Sequence, residues 1–365
     1  MILGHGGNVF ALAERLGCSP DDIFDMSSNV NPLGPPPGLA PFLSENLHLV
    51  ARLPEADAGR IVDAFSRFYG VPRSRIVAGN GTTQLIYQLP RALGTRRALI
   101  VGPTYSDYES ACRMEGIDSR YHPAREENEF AVDAAQVATA AETADTVFVC
   151  NPNNPTGRLI DPDRLRHLCR ELSGKRVVVD ESYLPFVPNG EELSLMGSPP
   201  DNALVLHSMS KIFRIPGLRI GFAVAEDDLI APLRRLAMPW SVNGLAQAAV
   251  AYLLERPESS RAFIQTSRRR LAEEMSRMVS SLSRSVPTLR LFPTVTSFVL
   301  IKLPAPWTAD AVCETMAQSG ILIRNCHNFN GLSDRFVRLS VQSPDVNRRA
   351  IDMLTRLLSG EPSPC

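Results

Sequence analysis

Four runs in the first two thirds of the chain are almost continuously apolar and rich in β-branched residues: RALIVG (97–102), TVFVCN (146–151), KRVVVDES (175–182) and NALVLHS (202–208). Each is too short for a typical helix, and each ends in a polar or glycine-bearing loop. Unbroken rather than alternating apolar character predicts strands buried on both faces of a parallel sheet, with the helical patterns between them as crossovers. The last third changes style. SFVLIKL (297–303), GILIRNC (320–326) and FVRLSV (336–341) read as strands around a helix over Ala309–Gln318. That pattern predicts a smaller, partly antiparallel α+β unit. Near the start, NPLGPPPGLAP (31–41) is too dense in proline and glycine for helix or central strand and reads as an extended arm or crossing loop. The expected organisation is an arm over residues 1–45 that packs on the small unit, a large α/β unit over 46–245, and a small unit over 246–365.

Composition adds exclusions. The 365 residues are 44% hydrophobic and 21% charged, ordinary for a globular protein with a full core. A formal net charge of -1 offers no footprint for nucleic acid or an acidic membrane surface, so any substrate charge must be met locally. Seven scattered cysteines fit neither a disulfide framework nor a metal knuckle, and no metal is expected. The start of the chain has no basic-then-apolar leader, and no stretch is long enough to span a bilayer. A cytoplasmic location is expected.

The polar residues gather where strands end, which is where open α/β sheets bind ligands. Four strand ends carry candidates: GPTYSDY (102–108), NPNNPTG (151–157), DESY (180–183) and HSMSK (207–211). A fifth segment, VAGNGTTQLIYQL (77–89), is a glycine turn at Gly79 and Gly81 that feeds a helical pattern at Thr82 or Thr83. A helix N-terminus of this kind offers free N–H groups and a favourable dipole to a phosphate, although a threonine-capped helix with nothing bound reads the same way. Lys211 follows the apolar run LVLHSMS, with Ser208 and Ser210 on one side and Arg219 beyond. A lysine beside fixed cations sheds its proton readily and can form a Schiff base with an aldehyde. Pyridoxal 5'-phosphate is an aldehyde that carries its own phosphate. It also needs a buried carboxylate against its pyridine nitrogen, and Asp180 at the end of VVVD is placed for that, or for a helix cap. Asn154 and Tyr183 are available to the ring oxygen. Tyr105 offers either a ring to stack on or ordinary core packing.

GNGTTQ, NPNNPTG, DESY and SMSKIFRIPGLRIGF, in this order, resemble the fold-type I pyridoxal-phosphate enzymes of the class I/II aminotransferase group. The resemblance implies a large domain with a mostly parallel, seven-stranded type of sheet beside a smaller α+β domain, and a homodimer. Carried over residue by residue, it implies Lys211 as the Schiff-base lysine, Asp180 on the pyridine nitrogen, Asn154 and Tyr183 on the ring oxygen, and Tyr105 stacked on the ring. Gly81, Thr82, Thr83, Ser208, Ser210 and Arg219 would hold the phosphate.

Within this group, Arg338 in RLSV would grip the substrate carboxylate, unless it is a plain surface arginine. Arg324 in ILIRNCHNF is a second cation of the same unit, and two such arginines point to a phosphorylated amino acid as substrate. HGGN (5–8), SSNVNPLGPP (27–36) and MPWSVN (238–243) are similar to the threonine-phosphate decarboxylases of cobalamin biosynthesis. Histidinol-phosphate aminotransferases, the alternative, typically carry an acid before the arm's Asn-Pro-Leu-Gly, which is absent here. The decarboxylase resemblance implies that His5, Gly6 and Asn29 enclose the substrate, with Asn154 beside it. It also implies decarboxylation of L-threonine O-3-phosphate to (R)-1-amino-2-propanol O-2-phosphate and CO2. A non-catalytic cofactor-binding regulator is a third reading, disfavoured by the retained Lys211 and Asp180. Two departures stand out. RLPEADA (52–58) places Leu53 where both branches usually have a tyrosine, and Arg214 interrupts KIFRIPG (211–217) with a charge that has no assigned task.

Overall fold

The computed structural model describes residues 6–359; the expected role of His5 lies outside them. Among the described residues thirteen strands run in chain order as β1 (Phe24–Asp25), β2 (Ile76–Gly79), β3 (Arg97–Gly102), β4 (Asp118–Pro123), β5 (Thr146–Cys150), β6 (Arg176–Asp180), β7 (Ala203–Ser208), β8 (Gly221–Ala225), β9 (Arg290–Leu291), β10 (Phe298–Lys302), β11 (Ile321–Leu322), β12 (Arg324–Asn325) and β13 (Phe336–Ser340).

Seven of these form one sheet in the order β2-β8-β7-β6-β5-β3-β4. The pairs β7-β6, β6-β5, β5-β3 and β3-β4 are parallel, while β8 runs antiparallel to both of its neighbours. This is the mostly parallel, seven-stranded sheet that the resemblance implies, and the four apolar runs are its β3, β5, β6 and β7. All residues of β5 and β7 are buried, because helices cover both faces of the sheet. The strands that the apolar pattern does not reveal have physical reasons to hide. β4 is an edge strand, DSRYHP, with no fully buried position, so its sequence carries no continuous apolar run. β8 begins at Gly221, whose lost side chain makes room for the helix beginning at Gly81: a Cβ there would stand 2.6 Å from the Thr82 nitrogen.

A second sheet has the order β12-β13-β10-β9 and is antiparallel. The helix Ala309–Gln318 lies where the spacing predicts it. GILIRNC differs from the expectation of one strand. Its backbone changes partner at Ile323, so β11 pairs in parallel with β1 while β12 joins β13. The early segment is thereby stitched to this second sheet: the Met26 N–H donates to the Leu322 carbonyl at 2.8 Å, and the Ser340 N–H donates to Met26 at 2.9 Å. Arg15 adds a surface ion pair with Glu314 at 2.7 Å.

The arm then crosses to the seven-stranded sheet through Asn31, which is fully buried. Its backbone N–H donates to the Lys211 carbonyl at 3.0 Å. Its side-chain amide donates to the Ile212 carbonyl at 2.9 Å and to the Ser267 hydroxyl at 2.8 Å. One side chain thus joins the arm, the segment after β7 and the long helix Pro257–Ser285. Among the described residues no helix is long and apolar enough to cross a membrane, and none of their His, Cys, Asp and Glu side chains form a group that could hold a metal ion.

Replacing Asn31 by Leu leaves the buried Ile212 carbonyl and Ser267 hydroxyl without this donor. The expected cost is about 1–3 kcal/mol, read as a lower urea midpoint at unchanged slope.

Candidate active site

Every strand end with a sequence signal opens on the same edge of the large sheet. The helix Gly81–Ala92 starts after β2, Tyr105 follows β3, Asn154 follows β5, Asp180 closes β6, and Lys211 sits in the short helix Met209–Ile212 after β7. Together they line an inner cavity of about 150 Å³, which also includes Thr82, Thr83, Tyr183, Ser208, Ser210 and Arg219. A wider outer cavity of about 550 Å³ continues from it, lined by Gly6, Asn29, Arg214, Arg324 and Arg338 among others. Tyr105, Asn154, Tyr183 and Lys211 line both. The structure therefore brings together all the sequence-predicted site residues that it describes.

Asp180, in the lining of the inner cavity, is buried. Its carboxylate accepts from the Tyr108 hydroxyl at 2.8 Å and from the Ser182 N–H at 2.9 Å. Burial raises its pKa, opposed by those hydrogen bonds and by Lys211. A cationic group against the carboxylate would hold it ionised. Tyr108 escaped the sequence analysis because its only signal is that of a helix core residue. Its ring stacks on Phe148, and its hydroxyl helps to fix the Asp180 carboxylate.

Lys211 is enclosed by protein but open to the cavities. Burial first, then the charges of Arg338 and Arg219, lower its pKa from 10.5 to about 8, against the pull of Asp180 and Asp25. Near neutral pH it therefore presents far more free amine than an ordinary lysine does.

Another part of the inner cavity's lining is shaped for an anion. The helix starts at Gly81, one residue earlier than the threonines suggest, with φ +73. A Cβ at Gly81 would lie 2.7 Å from an Arg219 guanidinium nitrogen. Only glycine lets the helix N-terminus and Arg219 face the same space. The hydroxyls of Ser208 and Ser210 line it too, and Ser210 donates to the Ile220 carbonyl at 3.2 Å.

In the outer cavity Arg324 and Arg338 are direct cross-strand partners on β12 and β13. Both are buried. Arg338 donates to the Asn154 side-chain oxygen and to the Ser27 carbonyl, and its Nε is a buried donor with no partner. Burial lowers the Arg324 pKa to about 10. Its guanidinium donates to the Asn328 side-chain oxygen at 2.8 Å and lies over the Phe329 ring. Asn29 donates to the Tyr183 hydroxyl at 3.2 Å and accepts from Ser340 at 2.7 Å. It is thus tied to the Tyr183 ring as well as lining the cavity.

Comparison with known proteins fits this geometry. The description "Aminotransferase class I and II" matches residues 21–354. The chain belongs to that family. It is 35% identical to the threonine-phosphate decarboxylase of Salmonella typhimurium, over 98% of this chain and 97% of that one. It is 33% identical to the histidinol-phosphate aminotransferase of Chlorobium luteolum, over 84% of each. The crystal structure of L-threonine-O-3-phosphate decarboxylase from Porphyromonas gingivalis superposes with a TM-score of 0.82 at 30% identity, covering 92% of this chain and all of that one.

The cofactor of this family is pyridoxal 5'-phosphate, and the inner cavity fits it. The glycine-shaped anion cradle, the amine of Lys211 and the buried Asp180 carboxylate line one narrow space, as a phosphate, an aldehyde and a ring nitrogen require.

Cofactor-free protein should take up pyridoxal phosphate at a rate that rises through a midpoint near pH 8, where Lys211 loses its proton. Arg338→Gln removes a cation and should move the midpoint up. Asp180→Asn removes an anion and should move it down. Stopped-flow visible absorbance against pH measures both shifts.

Proposed function

We propose that this protein decarboxylates L-threonine O-3-phosphate to (R)-1-amino-2-propanol O-2-phosphate and CO2, a step of cobalamin biosynthesis. The observation that carries this is the pair Arg324 and Arg338, adjacent across β12 and β13 and lining the cavity that Lys211 also lines. One arginine suits a carboxylate and the other a phosphate. The 35% identity to the Salmonella decarboxylase over nearly the full length supports the same substrate class, and a Leptospira interrogans relative carries adenosylcobalamin biosynthesis in its name.

Pyridoxal phosphate, when bound, supplies an aldehyde for the substrate amine and a protonated ring that draws electrons from Cα. Lys211 would hold that aldehyde at rest and yield it to the incoming amine. Asp180, fixed by Tyr108 and Ser182, would keep the ring nitrogen protonated. Asn154 and Tyr183 would bind the ring oxygen and Tyr105 the ring face, while Thr82, Thr83, Ser208, Ser210 and Arg219 would hold the cofactor phosphate at the Gly81 turn. Arg338 has a buried Nε donor to spare and would set the direction of the carboxylate. With Arg338 orienting the carboxylate, the Cα–COO⁻ bond would break in preference to Cα–H. Its electron pair passes to Cα, CO2 leaves, and the Lys211 Nζ would deliver the proton that Cα then takes. Arg324, Gly6 and Asn29 would anchor the phosphate end, with His5 from beyond the described residues. Remote binding thereby sets the reacting geometry.

We also read the chain as the three units 1–45, 46–245 and 246–365, supported by the separate seven- and four-stranded sheets and by the early segment, which pairs with β11 and bonds to β13. We infer a homodimer as well. Leu47, Val50, Leu53, Met238 and Trp240 are large apolar side chains left exposed, and the Trp240 N–H donates to the Ala56 carbonyl at 2.9 Å, drawing their two segments together. Leu53 is 77% exposed, so it fills no role within its own subunit's site.

Holoenzyme given threonine phosphate should release CO2 and an amino alcohol phosphate without 2-oxoglutarate, and Lys211→Ala should lose at least a thousandfold in kcat. A keto product that appears only with 2-oxoglutarate, with no CO2, contradicts decarboxylation and favours the aminotransferase alternative. Mass spectrometry of the products decides.

A further inference from the structure

The outer cavity holds a cation that this mechanism leaves without a task. Arg214 stands three residues after Lys211 and lines the cavity with Arg324 and Arg338. Its Nη1 donates to the Asn31 carbonyl at 2.8 Å. Among the described residues this is the one hydrogen bond of its guanidinium, and no carboxylate is paired with it. Its Nε and Nη2 donors are therefore uncommitted. The anchor is rigid, because Asn31 is buried and bonded to Lys211, Ile212 and Ser267. The Arg214 backbone has φ +48, a left-handed conformation that glycine adopts freely and a residue with a Cβ does not. A costly backbone that carries a pre-positioned, half-satisfied cation at the rim of a substrate cavity points to use of that cation.

The charge balance of the cavity agrees. Among the described residues its lining carries Lys211, Arg214, Arg324 and Arg338 against the carboxylate of Asp25, with Tyr105 and Tyr183 as the other titratable groups. One oxygen of Asp25 is already taken up by the Ser27 N–H, the Ser27 hydroxyl and the Ser28 N–H. A phosphorylated amino acid brings one carboxylate and, above a second phosphate pKa of about 6, two phosphate charges. Arg338 matches the carboxylate, and Arg324 alone leaves one phosphate charge unpaired.

We propose that Arg214 is a second phosphate-binding residue and selects the dianionic form of the substrate phosphate. The inference rests on the phosphorylated substrate class argued above. Because Arg214 also holds the Asn31 carbonyl, a phosphate bound to it ties the arm to the segment that carries Lys211.

Arg214→Gln and Arg214→Lys holoenzymes test this by steady-state kinetics with threonine phosphate and threonine, and by calorimetry with O-phosphoethanolamine, which has the amine and phosphate but no carboxylate to lose. In Arg214→Gln, KM for threonine phosphate is expected to rise at least tenfold with a smaller change in kcat. The preference for threonine phosphate over threonine should fall by a similar factor, and O-phosphoethanolamine should bind at least tenfold more weakly. The decrease of wild-type KM between pH 5 and 7 should flatten, and Arg214→Lys should recover most of the binding. Unchanged O-phosphoethanolamine binding in Arg214→Gln overturns the proposal. So does an equal loss for threonine and its phosphate, which is what a purely structural brace of the arm predicts. Calorimetry does not depend on which bond breaks. A wild type that binds O-phosphoethanolamine through Arg214 but releases no CO2 from threonine phosphate sinks the decarboxylase reading and supports this one.

Discussion

A basic side chain and an acidic one face a common enclosed space from the ends of neighbouring parallel strands, and the rest of the site is arranged around that constraint. Asp180 ends β6, and Lys211 follows β7, its partner in the sheet. Burial works against charge on both: it lifts the Asp180 pKa and lowers that of Lys211. Neither is left to burial alone. Tyr108 and Ser182 donate to the carboxylate, and each of the two charges offsets part of the desolvation of the other. The resulting lysine is readily deprotonated, and the resulting carboxylate is ready for a cationic ring.

The second sheet contributes charge rather than chemistry. Arg338 lies close enough to lower the Lys211 pKa, so the group proposed for the substrate carboxylate also tunes the amine. Buried arginines are costly unless their donors are met. Arg338 meets two partners and Arg324 one, with donors remaining for a ligand. The cross-strand pairing of these arginines places two positive charges side by side, an arrangement that a doubly anionic ligand relieves.

The parallel strands were legible because burial on both faces writes an unbroken apolar run, and the ligand edge because each run ends in polar residues. Lys211, Asp180, Asn154 and Tyr183 stand within a few residues of such an end, so local pattern located them. Tyr108 and Asn29 were harder to assign for one shared reason. Their work is done by contacts with residues far along the chain, Tyr108 with Asp180 and Asn29 with Tyr183 and Ser340, and no short window holds both partners. The division of GILIRNC between two sheets was hidden in the same way. An apolar run marks a buried segment but not which neighbour its backbone will choose. Arg214 was visible as an oddity, and its meaning came only with the Asn31 carbonyl and the cavity beside it.

The most direct measurement of the central claim is borohydride reduction of the yellow holoenzyme followed by peptide mass mapping. The account predicts a single pyridoxyl-phosphate adduct, carried by Lys211, and a marked loss of that adduct when Asp180 is replaced by Asn at subsaturating cofactor. No adduct, or an adduct on another lysine, would contradict it.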